Sequence, residues 1–148
     1  MNIAREQIYS ALFTTLQTSL GPKFATISRR WRMPEQVSPE SRPALFQVQT
    51  GERAKTNATG EPIIWSATVD LVIYTQGSGD EQTVPSQELN DLLDAIEAAL
   101  APPPNSDGKQ TLGGKVSHCR LQGSASIVEN VNGAAAMAVL PVEILTTA

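Results

Sequence analysis

The sequence predicts an α+β fold, a mainly antiparallel β-sheet with two α-helices packed on one face. Residues 62–74 form the longest strand-like run, because apolar side chains occupy its odd positions. These side chains are Ile63, Trp65, Ala67, Val69, Leu71 and Ile73. Two other stretches have the apolar spacing of amphipathic helices. Several strand-like runs follow one another directly, which is typical of hairpin connections and an antiparallel sheet.

Residues 3–20 are predicted to form the first helix. The apolar repeat consists of Ile8, Leu12, Leu16 and Leu20. This spacing of four residues places the side chains on one helix face, and Tyr9 and Phe13 widen the stripe. Gly21 and Pro22 are expected to end the helix.

Two strands are expected next. Residues 24–33 contain β-branched and aromatic side chains, but three arginines leave at least one face wet, so this strand is predicted near a sheet edge. Residues 44–49 alternate apolar and polar side chains in the second strand. Residues 50–61 are polar, with Gly51 and Gly60 near the two ends, and are expected to form a long, mobile hairpin loop.

The second helix is predicted after the strand of residues 62–74. Its apolar residues are Leu89, Leu92, Leu93, Ile96, Ala99 and Leu100. Ser86 is the expected N-cap, and Glu88 in the first turn favours the positive end of the helix dipole. Residues 102–108, which include three prolines, end the helix and begin a loop that Gly113 and Gly114 close.

The C-terminal part of the chain is predicted to be strands. Residues 116–121 and 124–128 are strand-like, and the pair Asn132 and Gly133 indicates a tight turn into a last strand at residues 134–145. One face of that strand carries Ala134, Ala136, Ala138, Leu140, Val142 and Ile144. Its small alanines indicate close packing against a helix, and Pro141 indicates a sheet edge or a bulge.

The composition indicates one globular domain over residues 1–148. The chain is 41% hydrophobic and 18% charged, which is typical of a soluble protein. No apolar run approaches the roughly 20 residues that span a bilayer, and the N-terminus lacks the features of a secretory signal, so an intracellular origin is expected. With Cys119 as its only cysteine and His118 as its only histidine, the chain cannot form an intrachain disulfide or an ordinary zinc site.

Positive and negative charge fall in different parts of the chain. Residues 21–55 are rich in lysine and arginine, whereas residues 80–100 carry six acidic side chains and no basic one. These can be two solvated surfaces whose signs happen to differ. Alternatively, they can be self-complementary. If the two regions lie on opposite flanks, copies of the chain would attract one another head to tail, the kind of contact that closes into rings.

The candidates for catalysis favour structural explanations. His118 and Cys119 suggest a base and a nucleophile, but neighbours on a strand point to opposite faces, so a buried thiol is the better interpretation. The acidic spacing of Asp91 and Asp94 is also that of a wet helix face. Turn formation accounts for the glycines near residues 77–79 and 112–115, which lack the spacing of a phosphate loop.

Residues 28–32, Ser-Arg-Arg-Trp-Arg, combine an aromatic ring with basic side chains, as nucleic-acid surfaces do. Five residues are too few for a footprint, and a sequence pI near 4.9 disfavours phosphate binding by the whole protein. An arginine patch that faces another protein is therefore preferred. Trp31 is expected either to anchor such a contact or to cover the edge of the core.

Three segments together resemble a known family. The run 43–48, Pro-Ala-Leu-Phe-Gln-Val, follows a basic strand and a proline-rich connection; residues 65–74 precede an amphipathic helix; and residues 141–145, Pro-Val-Glu-Ile-Leu, end the last strand. This layout resembles the tail terminator, or tail completion, proteins of long-tailed bacteriophages, the group that includes the minor tail protein U type. The resemblance covers nearly the whole chain as an order of elements.

The resemblance implies a non-enzymatic virion protein without a cofactor. Such a subunit would form a homo-oligomer, expected to be a hexameric ring, that caps the tail tube, ends its polymerisation and supports head-tail joining. It implies assembly in the host cytoplasm and a place at the head-proximal end of the tail. The implied partners are the tail tube protein, a head-completion or connector protein, and a sheath protein if the tail contracts. Neither a membrane nor sequence-specific nucleic acid is implied.

Eight charged or aromatic residues are predicted to contribute to subunit or tube contacts. They are Arg29, Arg30, Trp31, Arg32, Arg53, Lys55, Glu88 and Asp91. A head-to-tail connector or another tail completion subunit is the alternative within assembly proteins, because it would use the same kind of surface. A small α+β enzyme or ligand-binding domain is the alternative from another class, and it predicts a monomer or dimer with a defined pocket.

Overall fold

Two helices cover one face of a six-stranded sheet in this computed structural model, which describes residues 3–131 and 135–147. The helices are α1 (Arg5–Leu20) and α2 (Pro85–Ala99). The strands are β1 (Thr26–Ser28), β2 (Ala44–Thr56), β3 (Pro62–Tyr74), β4 (His118–Leu121), β5 (Ser126–Val131) and β6 (Ala135–Thr147). Two short 3₁₀ turns, Pro34–Gln36 and Pro39–Ser41, lie between β1 and β2. The predicted α+β class is confirmed.

The sheet is antiparallel except at one edge. Its order is β1-β2-β3-β6-β4, and β5 also pairs with β6. The short β1 runs parallel to β2, and the other described pairs are antiparallel. The long strands β2, β3 and β6 therefore form the centre of the sheet. The prediction that the first strand lies at an edge is confirmed.

The larger core lies between the helices and the sheet. The apolar repeats predicted for the two helices are buried there, and Leu12, Leu16, Leu89 and Ile96 are each 0% exposed. The odd positions of β3 from Ala67 to Ile73 face the same core, as predicted. Ile63 and Trp65, which were predicted for this face, are not part of the core: Ile63 is 42% exposed and Trp65 is half-buried.

A smaller core covers one end of the opposite face. It consists of Val37, Ala44, Phe46, Val72 and Tyr74. The segment of residues 29–43 covers these side chains. The predicted strand at residues 24–33 is therefore too long, because only Thr26–Ser28 form a strand, β1. Residues 29–33 leave the sheet: Arg29 binds Glu6 of α1, and Trp31 donates to Tyr74.

The predicted mobile loop at residues 50–61 is wrong. Strands β2 and β3 stay paired as far as Thr56 and Pro62, with an irregularity between Gln49 and Gly51. Residues 57–61 alone form the turn, where the Asn57 side chain accepts hydrogen bonds from the backbone N–H groups of Thr59 and Glu61. Both faces of this ribbon are largely wet, so the hydrophobic alternation that reveals a strand is missing.

Smaller predictions also need correction. Helix α1 begins at Arg5 instead of residue 3, and α2 begins at Pro85 without the Ser86 cap, because proline itself suits the first helical position. The predicted strands at residues 116–121 and 124–128 are β4 and β5, with later starts. The predicted turn at Asn132 and Gly133, and Ala134, lie outside the described residues.

Pro141 lies inside the sheet, neither at an edge nor in a bulge. It pairs with Asp70 of β3, and its carbonyl accepts a hydrogen bond from the N–H of Gln122. Strand β4 pairs with β6 after this position and β5 pairs before it. The proline is tolerated because it stands at the break between the two ladders, where a missing N–H disrupts neither.

Candidate interaction surface

The eight residues predicted to form contacts fall into three groups. Residues 29–32 lie beside the smaller core, Arg53 and Lys55 lie on the ribbon of β2 and β3, and Glu88 and Asp91 lie on α2. Arg53 follows Phe46 by seven positions along β2, a separation of about 23 Å in an extended strand. The structure therefore does not bring the eight residues together.

Arg29 holds the segment of residues 29–43 to the rest of the molecule. Its guanidinium forms an ion pair with Glu6 of α1 and donates to the side-chain oxygen of Gln49 at 3.1 Å. The hydrogen bond from Arg29 to Glu6, with another from Ser10, lowers the pKa of Glu6. Arg29 is thus occupied within the chain and is a poor candidate for a contact with a partner.

Trp31 and Arg32 are also partly occupied. The indole N–H of Trp31 donates to the hydroxyl of Tyr74 at 2.9 Å, and that hydroxyl donates to the carbonyl of Arg32 at 2.8 Å. The Arg32 guanidinium lies 5.7 Å from the ring centre of Phe46. Trp31 covers the core edge, as one of its two interpretations predicts, while 47% of it stays exposed. Arg30 is exposed and makes no ion pair among the described residues.

Arg53 and Lys55 line an open groove on the sheet face opposite the helices. The groove has a volume of about 920 Å³. Its walls include Gly51, Arg53, Lys55, Ile64, Ser66, Thr68, Glu143 and Leu145. Arg53 is opposite Ser66 and Lys55 is opposite Ile64, so the two cations share one face of β2. Both are exposed, and neither forms an ion pair within the described residues. We call this region the basic groove.

One carboxylate of the basic groove is already neutralised. Glu143 accepts hydrogen bonds from the Arg120 guanidinium at 2.9 and 3.2 Å and from the Ser66 hydroxyl at 3.1 Å. This network crosses three neighbouring strands, β4, β6 and β3. Because the charge of Glu143 is balanced by Arg120, Arg53 and Lys55 give this end of the face a positive charge.

The opposite side of the ribbon is fixed to α1. Glu52 accepts from Arg5 at 2.7 Å and from the Tyr9 hydroxyl at 2.9 Å. The Arg5 hydrogen bond lowers the pKa of Glu52, whereas burial and then the Glu52 bond raise the pKa of Tyr9 to about 12. These contacts of Glu52 with Arg5 and Tyr9 were not predicted from the sequence. No local signal could identify them, since 47 positions separate Arg5 from Glu52.

The two predicted acidic residues of α2 differ in their surroundings. Glu88 accepts hydrogen bonds from the backbone N–H groups of Gln76 at 3.0 Å and Gly77 at 3.3 Å, so it holds the loop between β3 and α2. Asp91 and Asp94 are exposed on the side of α2 that faces away from the sheet. We call this pair the acidic helix surface. It lies on the opposite side of the sheet from the basic groove.

The adjacent His118 and Cys119 point to opposite faces, as predicted. Cys119 belongs to the larger core, and its burial raises the pKa of the thiol to about 12. His118 lies on the other face, where its Nδ1 accepts a hydrogen bond from the N–H of Gln110 at 3.3 Å. At neutral pH the thiol is therefore protonated and inaccessible, and its neighbour has no route to remove the proton.

Residues 3–131 and 135–147 contain neither a metal-binding cluster nor a membrane-spanning helix. No cluster of three or more His, Cys, Asp or Glu side chains there is arranged to hold a metal ion. Neither helix in that part of the chain is long and apolar enough to cross a membrane. No protein-family model matches the chain, and no curated protein shows significant sequence similarity to it.

Proposed function

We propose that the chain is a structural subunit of a bacteriophage tail, a terminator that assembles into a hexameric ring on the end of the tail tube. The ring stops tube polymerisation and presents a surface for the head-completion or connector protein. Its other partners are the tail tube protein and, in a contractile tail, the sheath protein. It acts without a cofactor and is neither an enzyme nor a membrane protein.

The observation that carries this proposal is the separation of charge across the sheet. The basic groove and the acidic helix surface lie on opposite sides of one subunit, so they cannot neutralise each other within it. Two different patches that complement each other favour a heterologous contact, and such contacts generate closed rings when the rotation between copies closes.

The shape of the basic groove also favours binding a macromolecule over a small substrate. It is an open surface across several strands, and the side chains of Arg53 and Lys55 are exposed on it. Small-molecule sites are usually enclosed clefts lined mainly by apolar side chains. This observation favours an assembly protein over the ligand-binding alternative.

The first test is the mass of the assembled protein. Native mass spectrometry is expected to find a species near six times the chain mass of 15.8 kDa, and negative-stain images of the same sample should contain rings. The second test adds this protein to tail tube protein from the same genome during polymerisation. We expect shorter tubes, with a ring at one end.

The proposal is contradicted if rings form but tubes keep growing past them and carry no ring. If the rings instead bind the portal-side connector and leave tube length unchanged, the connector alternative is correct. A species that remains monomeric or dimeric, both alone and with tubes, favours the ligand-binding alternative.

A further inference from the structure

We propose that the subunits join by a defined contact: the basic groove of one copy binds the acidic helix surface of the next copy. This inference rests on the ring-forming part of the proposed function and names the two surfaces that form the ring. It pairs Arg53 and Lys55 of one subunit with Asp91 and Asp94 of its neighbour.

The two cations of the basic groove form no ion pair with another described residue of the same chain. Arg53 and Lys55 project from the same face of β2, and Glu143, the acidic side chain on that face of the groove, is held by Arg120. Ile64, with 38% of its side chain exposed, lies opposite Lys55 and offers apolar contact area beside the two charges. A partner with negative charge beside an apolar or small surface would match it.

The acidic helix surface has negative charge next to a small side chain, as such a partner requires. Asp91 and Asp94 are three residues apart, so they are neighbours on the helix surface. Both are exposed and form no ion pair among the described residues, and residues 80–100 include no lysine or arginine. Ala98 is also exposed, and one turn after Asp94 it gives this surface a small side chain.

The spacing of the charges is compatible with the contact. Alternate residues of an extended strand are about 6.6 Å apart, which is the separation of Arg53 and Lys55 along β2. Helix positions three apart have Cβ atoms about 5–6 Å from each other. Long arginine and lysine side chains can accommodate the small difference. An α-helix about 10 Å wide would lie over two or three strands spaced about 4.8 Å apart.

We assign the partner as a second copy, because the two surfaces are complementary in charge and the sheet keeps them from meeting within one chain. Within one chain, the sheet and the larger core beneath α2 separate the two surfaces. Between copies, each subunit uses its groove on one side and its helix on the other. The contact is therefore heterologous, and repeating it gives a ring or a filament instead of a closed dimer.

The test exchanges the charges of the two surfaces. Variant one carries Arg53→Glu and Lys55→Glu, and variant two carries Asp91→Lys and Asp94→Lys. Each variant alone has two surfaces of the same sign, so we expect the concentration for half-assembly to rise by about tenfold or more. Mixed in equal amounts, they restore opposite charges at every contact, and an alternating ring with an even number of subunits should return.

The control variant carries Lys23→Glu and Lys109→Glu. It has the same change in net charge as variant one, on exposed lysines outside the groove, and should assemble like the unmodified chain. Circular dichroism of each variant checks folding, and recovery in the mixture shows independently that both variants are folded. Mass spectrometry of the mixed species reports whether the two variants alternate.

The contact is excluded if either charge-reversed variant assembles as well as the unmodified chain, or if two folded variants fail to assemble when mixed. It is also excluded if variant one loses affinity for a short DNA duplex while its assembly is unchanged, because the groove would then bind phosphate. The tube-length assay is separate: rings that obey the charge exchange but do not cap tubes support the contact and contradict the tail function.

Discussion

The carboxylate of Glu88 has a structural task at the residue scale. It accepts hydrogen bonds from two backbone N–H groups of the loop that follows β3. A hydrogen bond to a charged group typically stabilises a fold by about 1.5–3 kcal/mol. Its position in the first turn of α2 also suits the positive helix end. The side chain therefore connects a helix to the strand before it.

Replacing Glu88 by glutamine should destabilise the protein by about 1 kcal/mol, because the neutral amide is a weaker acceptor and offers one oxygen instead of two. Urea unfolding, followed by circular dichroism, measures the change. Glu97→Gln is the matched control on the same helix, where the exposed side chain should change stability by less than about 0.5 kcal/mol. Equal effects of the two substitutions would contradict this role for Glu88.

Residue contacts were the least predictable part of the molecule. The negative charge and helix position of Glu88 were evident from the sequence, but its partners at Gln76 and Gly77 were not. A contact residue was predicted and a loop anchor was found. The reason is that a carboxylate near a helix start can accept from many donors, and the path of the preceding loop decides which N–H groups reach it.

At the element scale, Gly123 and Pro141 explain how two short strands share one long strand. Gly123 has a φ of +102°, and a side chain there would place its Cβ 3.3 Å from Cγ of Pro141. The chain crosses the proline at this point as it passes from β4 to β5. Gly123 thus combines a positive φ with close approach to the Pro141 ring, at the point of β6 where pairing changes from β4 to β5.

Gly123→Ala should therefore destabilise the fold by about 1–2 kcal/mol, through backbone strain and contact with the proline ring. Gly79→Ala is the matched control, because no atom lies within 4 Å of the added Cβ and its φ is not in the left-handed region. The control should stay within about 0.5 kcal/mol of the unmodified protein. Thermal and urea unfolding compare the pair, and an unaffected Gly123→Ala variant would rule out the strain.

The ribbon of β2 and β3 shows why element boundaries depart from the sequence pattern. Helices α1 and α2 were predicted from their buried stripes because burial on one side creates a periodic signal. Residues 51–56 pair with β3, with register shifts at Gly51 and Thr56, yet their side chains alternate between two polar surroundings. Backbone hydrogen bonds extend this ribbon, and they leave no hydrophobic period to detect.

At the scale of the whole molecule, charge of opposite sign is exposed on opposite sides of the sheet. The uneven distribution along the chain was visible in the sequence, but its basic half was assigned mainly to residues 29–32. In the structure Arg29 is paired with Glu6 and Arg32 lies over Phe46, so Arg30 is the one exposed arginine of that segment without an ion pair among the described residues. Arg53 and Lys55, in contrast, are exposed together on one face of β2. The candidate surface therefore moves to the basic groove.

If the groove and the acidic helix surface join subunits, assembly should weaken as salt is added. The screening length falls from about 10 Å at 0.1 M salt to about 3 Å at 1 M. Over that range we expect the concentration for half-assembly to rise about tenfold or more, as measured by analytical ultracentrifugation. A ring that persists unchanged at 1 M salt would indicate an apolar contact and count against the charged pair.

The sequence by itself determined the α+β class, the stripes of the two helices, the inward face of β3 and the separation of charge along the chain. These features are periodic or compositional, so they exist before folding. Only the tertiary structure decided that Glu52 holds α1, that Glu88 holds a loop and that Arg53 and Lys55 remain exposed in one groove. The physical reason is that such contacts join residues far apart in the chain, and their distances are set only when the helices and strands pack.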